Sequence, residues 1–117
     1  MVGGTENLLY LRQLLQATRN SYKACGYQQL TVDGTVASLT IPTGAVYALM
    51  SLESSATGVA IRFLELGTKT PPTTTTGMGR SNLDTWDIVD TANLNNFRVV
   101  QAQAGTHTLN IQYYSFE

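Results

Sequence analysis

His107 and Cys25 are each the sole residue of their kind, and Asp84, Asp87 and Asp90 form the one cluster of carboxylates in the chain. These are the side chains from which a reactive centre would have to be built. A hydrolytic triad needs a histidine held by a carboxylate beside a nucleophile. His107 stands between Thr106 and Thr108, and no Gly-x-Ser-x-Gly elbow is present. The local pattern predicts a half-exposed strand residue. One His and one Cys do not make a zinc ligand set. The three aspartates would align on a helix, but Trp86, Ile88 and Val89 between them predict a strand, where Asp84 and Asp87 lie on opposite faces. The alternating carboxylates and closing Glu of a calcium loop are missing, so turn and strand-end roles are expected for these acids. No phosphate-binding or dinucleotide glycine pattern occurs. The expectation is a protein with no catalytic residues, no metal and no cofactor: not an enzyme.

Composition narrows the remaining classes. Only 13% of the residues are charged and the net charge is −1, with a pI near 5.7. The seven Lys and Arg are dispersed, and proteins that bind nucleic acid present basic stripes instead. Soluble domains usually carry about 25% charged residues, and interface cores are depleted in charge. The deficit therefore predicts association with copies of itself or with other subunits; the competing reading is a Thr- and Gln-rich surface that is simply neutral. At 117 residues the chain suits a single core without metals or disulfides. Cys25 has no partner for an intrachain disulfide and reads as a small buried hydrophobe. No basic segment followed by an apolar run opens the chain, and no stretch approaches the ~20 apolar residues of a bilayer span. A soluble protein without membrane contact is expected.

The elements that must position these residues fall into two parts. Residues 1–26 read as an N-terminal helical arm and residues 27–117 as a β domain. Thr5 caps a helix whose first turn holds Glu6. Leu8, Leu11 and Leu15 follow at helical spacing, with Arg12, Gln13, Gln16 and Arg19 on the other side. The helix is predicted from about Glu6 to Lys23, with Gly26 as its stop. Its leucine stripe either covers an open face of its own domain or anchors a partner.

After Gly26 the period changes to two. A strand over Gln28–Val32 leads to Asp33-Gly34, a hairpin signal, and to a second strand with Ala37, Leu39 and Ile41 on one face. Pro42-Thr43-Gly44 reads as a turn. Ala45–Glu53 puts Val46, Ala48, Met50 and Leu52 on one face and Tyr47 and Leu49 on the other, as a central strand covered on both sides. Val59, Ile61 and Phe63 face inward with Arg62 outward, and the pattern breaks at Leu64-Glu65-Leu66. Gly67–Gly79, with Pro71-Pro72 and the run Thr73–Thr76, reads as an exposed extended loop. Thr85–Val89 is a strand carrying Trp86, and Asn93–Asn96 a turn. Phe97–Gln103 and Thr106–Phe116 form a last pair joined at Ala104-Gly105 as a hairpin. In the final strand Leu109, Ile111 and Tyr113 share one face, and Asn110, Gln112 and Tyr114 the other. The fold class is all-β: a β-sandwich or jelly roll of about seven or eight antiparallel strands preceded by one N-terminal α-helix.

The chain from Ile41 onward resembles a family of small phage virion structural proteins, found as stand-alone subunits or as domains of head and tail appendages. The likeness rests on Ile41-Pro42-Thr43-Gly44-Ala45 with Tyr47-Ala48-Leu49, then Ala60-Ile61-Arg62-Phe63, Gly67-Thr68, Pro72-Thr73, Gly77-Met78 and Phe97-Arg98. Thr108-Leu109-Asn110-Ile111-Gln112-Tyr113-Tyr114 closes it. Residues 1–35 lie outside it, and Ser54–Thr57, the extra threonines before Gly77 and the stretch from Arg80 to Phe97 depart from it. The resemblance implies a non-enzymatic subunit of the virion, made in a host cytoplasm, that assembles with copies of itself, a trimer being favoured. A capsid decoration (cement) protein bound to the major capsid protein is the leading expectation, with Leu8, Leu11 and Leu15 as the partner-binding arm and Asn110, Gln112 and Tyr114 as a surface or oligomer contact. Arg62 and Arg98 are expected to pair with carboxylates on adjacent strands. The alternatives are a tail, neck or head-fibre component, and a carbohydrate-binding module that stacks sugars on Trp86 or Tyr114.

Overall fold

A computed structural model describes residues 22–117. The chain runs β1 (Tyr22–Thr31), β2 (Ala45–Ser54), β3 (Val59–Leu64), β4 (Met78–Ser81), β5 (Thr85–Val89), a one-turn helix α1 (Thr91–Asn96), β6 (Arg98–Gln101) and β7 (His107–Phe116). The strands form two antiparallel sheets, one of four strands in the order β1-β7-β2-β5 and one of three in the order β4-β3-β6. The fold is thus mostly β, as the alternating sequence predicts. The leucines of the expected helix, Leu8, Leu11 and Leu15, lie outside the described residues, but Tyr22 and Lys23, predicted as its last turn, belong to β1.

The core takes one face of each sheet. Ala48, Met50 and Leu52 of β2 and Leu109, Ile111 and Tyr113 of β7 are buried together with Ile61 and Phe63 of β3 and Val99 of β6. One stacked contact joins the sheets, the Phe63 ring lying 5.5 Å from Trp86 of β5, and a second, at 5.4 Å, stacks Phe63 on Phe97 just before β6 of its own sheet. Each such pair contributes about 0.5–1.5 kcal/mol beyond its buried area. The Arg80 guanidinium caps the stack 5.0 Å from the Trp86 ring, where it gains from the π face.

Bulges account for several departures from strict alternation. A register shift between Ala45 and Tyr47 puts Ala45 into the core and leaves Val46 half-buried beside Tyr47 rather than with Ala48. Another between Val59 and Ile61 buries Ala60 and Ile61 in succession and leaves Val59 exposed, not inward. β2 is central as predicted, but only one of its faces is covered by described residues, because Leu49 remains 43% exposed.

Both predicted hairpins are absent. β1 pairs with β7, from Tyr22 opposite Phe116 to Thr31 opposite Thr108. The Asp33-Gly34 bend instead starts a crossover: Ala37 makes a two-way backbone bridge with Val99 of the other sheet, so 36–41 is not a ladder strand. Likewise β6 pairs with β3 while β7 pairs with β1 and β2, and Ala104-Gly105 carries the chain from one sheet to the other. In each case a local turn signal lost to a distant strand whose apolar face the core needed.

The predicted open loop before β4 is pinned. Pro72 is buried, and Arg62 donates from Nε to the Thr74 carbonyl (3.1 Å) and from Nη1 to the Gly77 carbonyl (3.0 Å). Arg98 likewise bonds the carbonyls of Asn95 and Phe97. Among the described residues neither arginine takes the carboxylate partner expected of it. β4, which sequence reading placed partly in this loop, pairs with β3 where the loop ends.

Gly26 is not a helix stop but an interior residue of β1, beside the bulge between Ala24 and Gly26. A Cβ there would stand 2.6 Å from Cγ of Pro42, closer than any unstrained contact. Gly26→Ala is expected to lower stability by about 1–3 kcal/mol, the usual cost of overpacking. Denaturant midpoints check this, and Pro42→Ala in the same chain should recover part of the loss.

Candidate functional site

The groups singled out for chemistry do not converge. His107 is 1% exposed rather than half-exposed. Its Nε2 lies 2.8 Å from the Gln103 carbonyl and its Nδ1 2.7 Å from Ser54 Oγ. A carbonyl only accepts, so Nε2 carries a proton and donates it there, while Nδ1 and the Ser54 hydroxyl share the second hydrogen bond. Ser54 Oγ also accepts from the Ala56 N–H. A carbonyl thus stands where a triad would place a carboxylate, and the imidazole ties the end of β2 to the turn before β7. Asp84 accepts from the Ser81 N–H, closing the β4–β5 turn, and Asp87 accepts from the Tyr47 hydroxyl. Asp90 precedes α1 with φ of 84°, and its carbonyl accepts from the Leu94 N–H. Among the described residues no three His, Cys, Asp or Glu side chains gather as a metal ion requires. Cys25 is half-buried against the core.

The outer face of the four-stranded sheet is where exposed side chains do assemble. Alternation along four paired strands directs Tyr27, Asn110, Gln112, Tyr114, Tyr47, Leu49 and Asp87 to it. Its two ends differ. Toward the Thr31 end, Asn110 is the centre of a polar lattice: its Oδ1 accepts from Tyr27 Oη (2.7 Å) and Gln29 Nε2 (3.1 Å), and its Nδ2 donates to Glu53 (2.9 Å). Toward the Tyr22 end the face is aromatic. Phe116, Tyr22, Tyr47 and Tyr114 follow one another with ring centroids 5.3, 5.9 and 5.5 Å apart.

A cleft of about 510 Å³ opens along this strip, lined by Tyr22, Tyr47, Tyr114, Val89 and Asp87. A second depression, about 320 Å³, continues past Tyr22 between Val46, Val89, Asp90 and Phe116. Val89 and Phe116 are more than half exposed. The rim is acidic. Burial, followed by the hydrogen bond and charge of Asp87, pushes the Tyr47 phenol up to about 12. Burial, and then the Asp87 charge, raises the Glu65 carboxyl, whose buried Oε2 has no hydrogen-bond partner among the described residues. The arrangement offers a flat aromatic and aliphatic surface beside fixed negative charge. It suits a partner that brings apolar side chains or sugar rings with a cationic or hydroxyl group at the edge.

Sequence reading found part of this site. Asn110, Gln112 and Tyr114 do share one outer face, although Asn110 has all its strong bonds within the sheet and Gln112 is simply exposed. Trp86, the other suggested sugar platform, is buried under Arg80. Tyr22, Val46, Val89 and Phe116 were missed. Tyr22 was hidden inside a predicted helix and Val46 by the bulge, and only the pairing of first and last strands brings Tyr22 to Phe116. No family model matches the chain, nor does any curated protein or solved structure.

Two titrations test the electrostatics. Tyr47 and the core residue Tyr113 both hold their phenol protons to about 12, Tyr113 through burial, against an ordinary value of 10.0. Below the ordinary value the folded and unfolded chains are equally protonated there. Between the two values the unfolded chain ionises first, so stability falls as pH rises through that window. Ultraviolet tyrosine titration should show two late-ionising phenols, and Asp87→Asn should bring one of them down. Glu65 has the acidic counterpart of this behaviour: its raised carboxyl favours the folded state at low pH and opposes it once ionised. Glu65→Gln should therefore raise the denaturation midpoint at neutral pH, with the gain vanishing below the ordinary carboxylate value of 4.5.

Proposed function

We propose that the two sheets pack as a β-sandwich and that the protein is a non-enzymatic structural subunit of a phage virion. The favoured form is a capsid decoration (cement) protein that homo-oligomerises, as a trimer by preference, and binds the major capsid protein on the outer shell. The observation that carries this reading is the apolar end of the outer sheet face. Leu49, Val89 and Phe116 stand exposed beside three tyrosines in a chain with little charge to keep it dispersed. Fully burying one such aliphatic or aromatic side chain gains about 1.5–3 kcal/mol, so covering several offsets the entropic cost of association. The resemblance from Ile41 to Tyr114 supplies the virion setting, and the leucine stripe at Leu8, Leu11 and Leu15 supplies a second apolar contact. Several such contacts per oligomer add through avidity.

The aromatic strip with Asp87 at its edge supports a second reading, a carbohydrate-binding surface. Here a glycan-array signal lost in Tyr114→Ala would carry the point.

Sedimentation of the purified protein should show an oligomer at micromolar concentration. The oligomer should bind phage shells, and removal of residues 1–21, which leaves every core residue named above in place, should abolish that binding while preserving β-type circular dichroism. Imaging of the particle should show copies distributed over the shell. Copies confined to one vertex would favour a tail, neck or head-fibre component, and a monomer that ignores every shell would reject both.

A further inference from the structure

We propose that the aromatic end of the outer sheet face is the seat of the N-terminal segment, residues 5–21, of a second copy of this chain. The inference rests on the self-association reading above and names the contact that would produce it. The first argument is position. The apolar side chains of the face gather at the end where the chain enters β1, since Tyr22 is itself a wall of the cleft. The opposite end is closed by the Asn110 lattice with Tyr27, Gln29 and Glu53.

The second argument is complementarity. Residues 5–21 carry the stripe Leu8, Leu11 and Leu15, which spans about 10 Å on a helix rising 1.5 Å per residue. The apolar outer stretch of β2 from Val46 to Leu49 also covers about 10 Å at a strand's rise. The net charges are also opposite in sign, although the arginines lie off the leucine side of the expected helix and so act through net charge rather than through contact with the cleft floor. Arg12 and Arg19 outnumber Glu6 in that segment, whereas the cleft lining holds Asp87 and no basic side chain, with Glu65 close enough to feel the Asp87 charge.

The third argument favours a neighbour over the same chain. Tyr22, the first described residue of β1, is paired opposite Phe116, and its ring, stacked between Phe116 and Tyr47, already forms the cleft wall next to the point where residues 5–21 attach. Exchange of an identical element between copies is an inexpensive route to a closed oligomer.

The test uses two differently tagged full-length chains, both Cys25→Ser, one carrying Leu11→Cys and the other Leu49→Cys, co-expressed and mildly oxidised. A disulfide joining the two tags is expected. It should form at least about tenfold faster than in a control pairing Leu11→Cys with Gln29→Cys at the polar end, because docking raises the local thiol concentration. Val89→Cys replaces Leu49→Cys should the latter impair folding. The proposal is overturned by the absence of the mixed disulfide, by equal rates at Gln29, or by a chain bearing both cysteines that closes only on itself. Sedimentation of the same samples separates the two levels. An oligomer without the mixed disulfide removes the exchanged segment and leaves self-association standing, whereas a monomer removes both.

Discussion

The pairing of β7 on both its edges is the constraint from which the rest of the structure follows. β1 and β2 flank it, so every second residue of its ten has only two places to go. Leu109, Ile111 and Tyr113 are wholly buried in the core, and the Tyr113 hydroxyl is satisfied by Gln28 of β1 at 2.7 Å. Asn110, Gln112 and Tyr114 are thereby committed to the other face. A slip of one residue would reverse both sets at once. That single register therefore fixes the interior and, equally, the surface on which the aromatic strip is assembled.

How far the sequence discloses this depends on whether the signal is local. β5 occupies the predicted Thr85–Val89, and the inward residues of β7 are those the alternation indicates. Ala48, Met50 and Leu52 face the core as read. Pairing is another matter. Asp33-Gly34 and Ala104-Gly105 carry strong turn chemistry, yet each takes the chain between sheets, because β1 and β6 find their partners in β7 and β3. Turn residues show where a chain bends; which strand it meets afterwards is decided by apolar faces far apart in sequence. Gly26 illustrates the same ambiguity. A glycine after a helical stripe suggests a C-cap, but here it is needed because Pro42 lies where a side chain would be.

The candidate site was less legible than the core for the same reason. Its rings come from the start of β1, the start of β2 and the end of β7, and no spacing along the chain brings those together. Only Tyr114 belonged to an alternating set that pointed outward. Polar groups misled in the opposite direction: Arg62 and Arg98 were expected to pair with carboxylates and His107 to stand half-exposed, yet all three bond backbone carbonyls. Arg62 and Arg98 thus hold loops, and the cleft on the outer face is lined by aromatic, aliphatic and acidic side chains.

The closure of the larger sheet by its first and last strands also sets a timetable. β1 has β7 as its neighbour in the sheet, and Tyr22 cannot meet Phe116 until the intervening polypeptide has left the ribosome. Loop-closure entropy for so long a span must be overcome before that ladder rewards it. The β3–β4 pair of the smaller sheet, whose strands are separated only by residues 65–77, is free to form sooner. Maturation should accordingly finish with a late zipping of the terminal strands, and during that interval the half-formed β2 would offer its bare edge to nascent siblings.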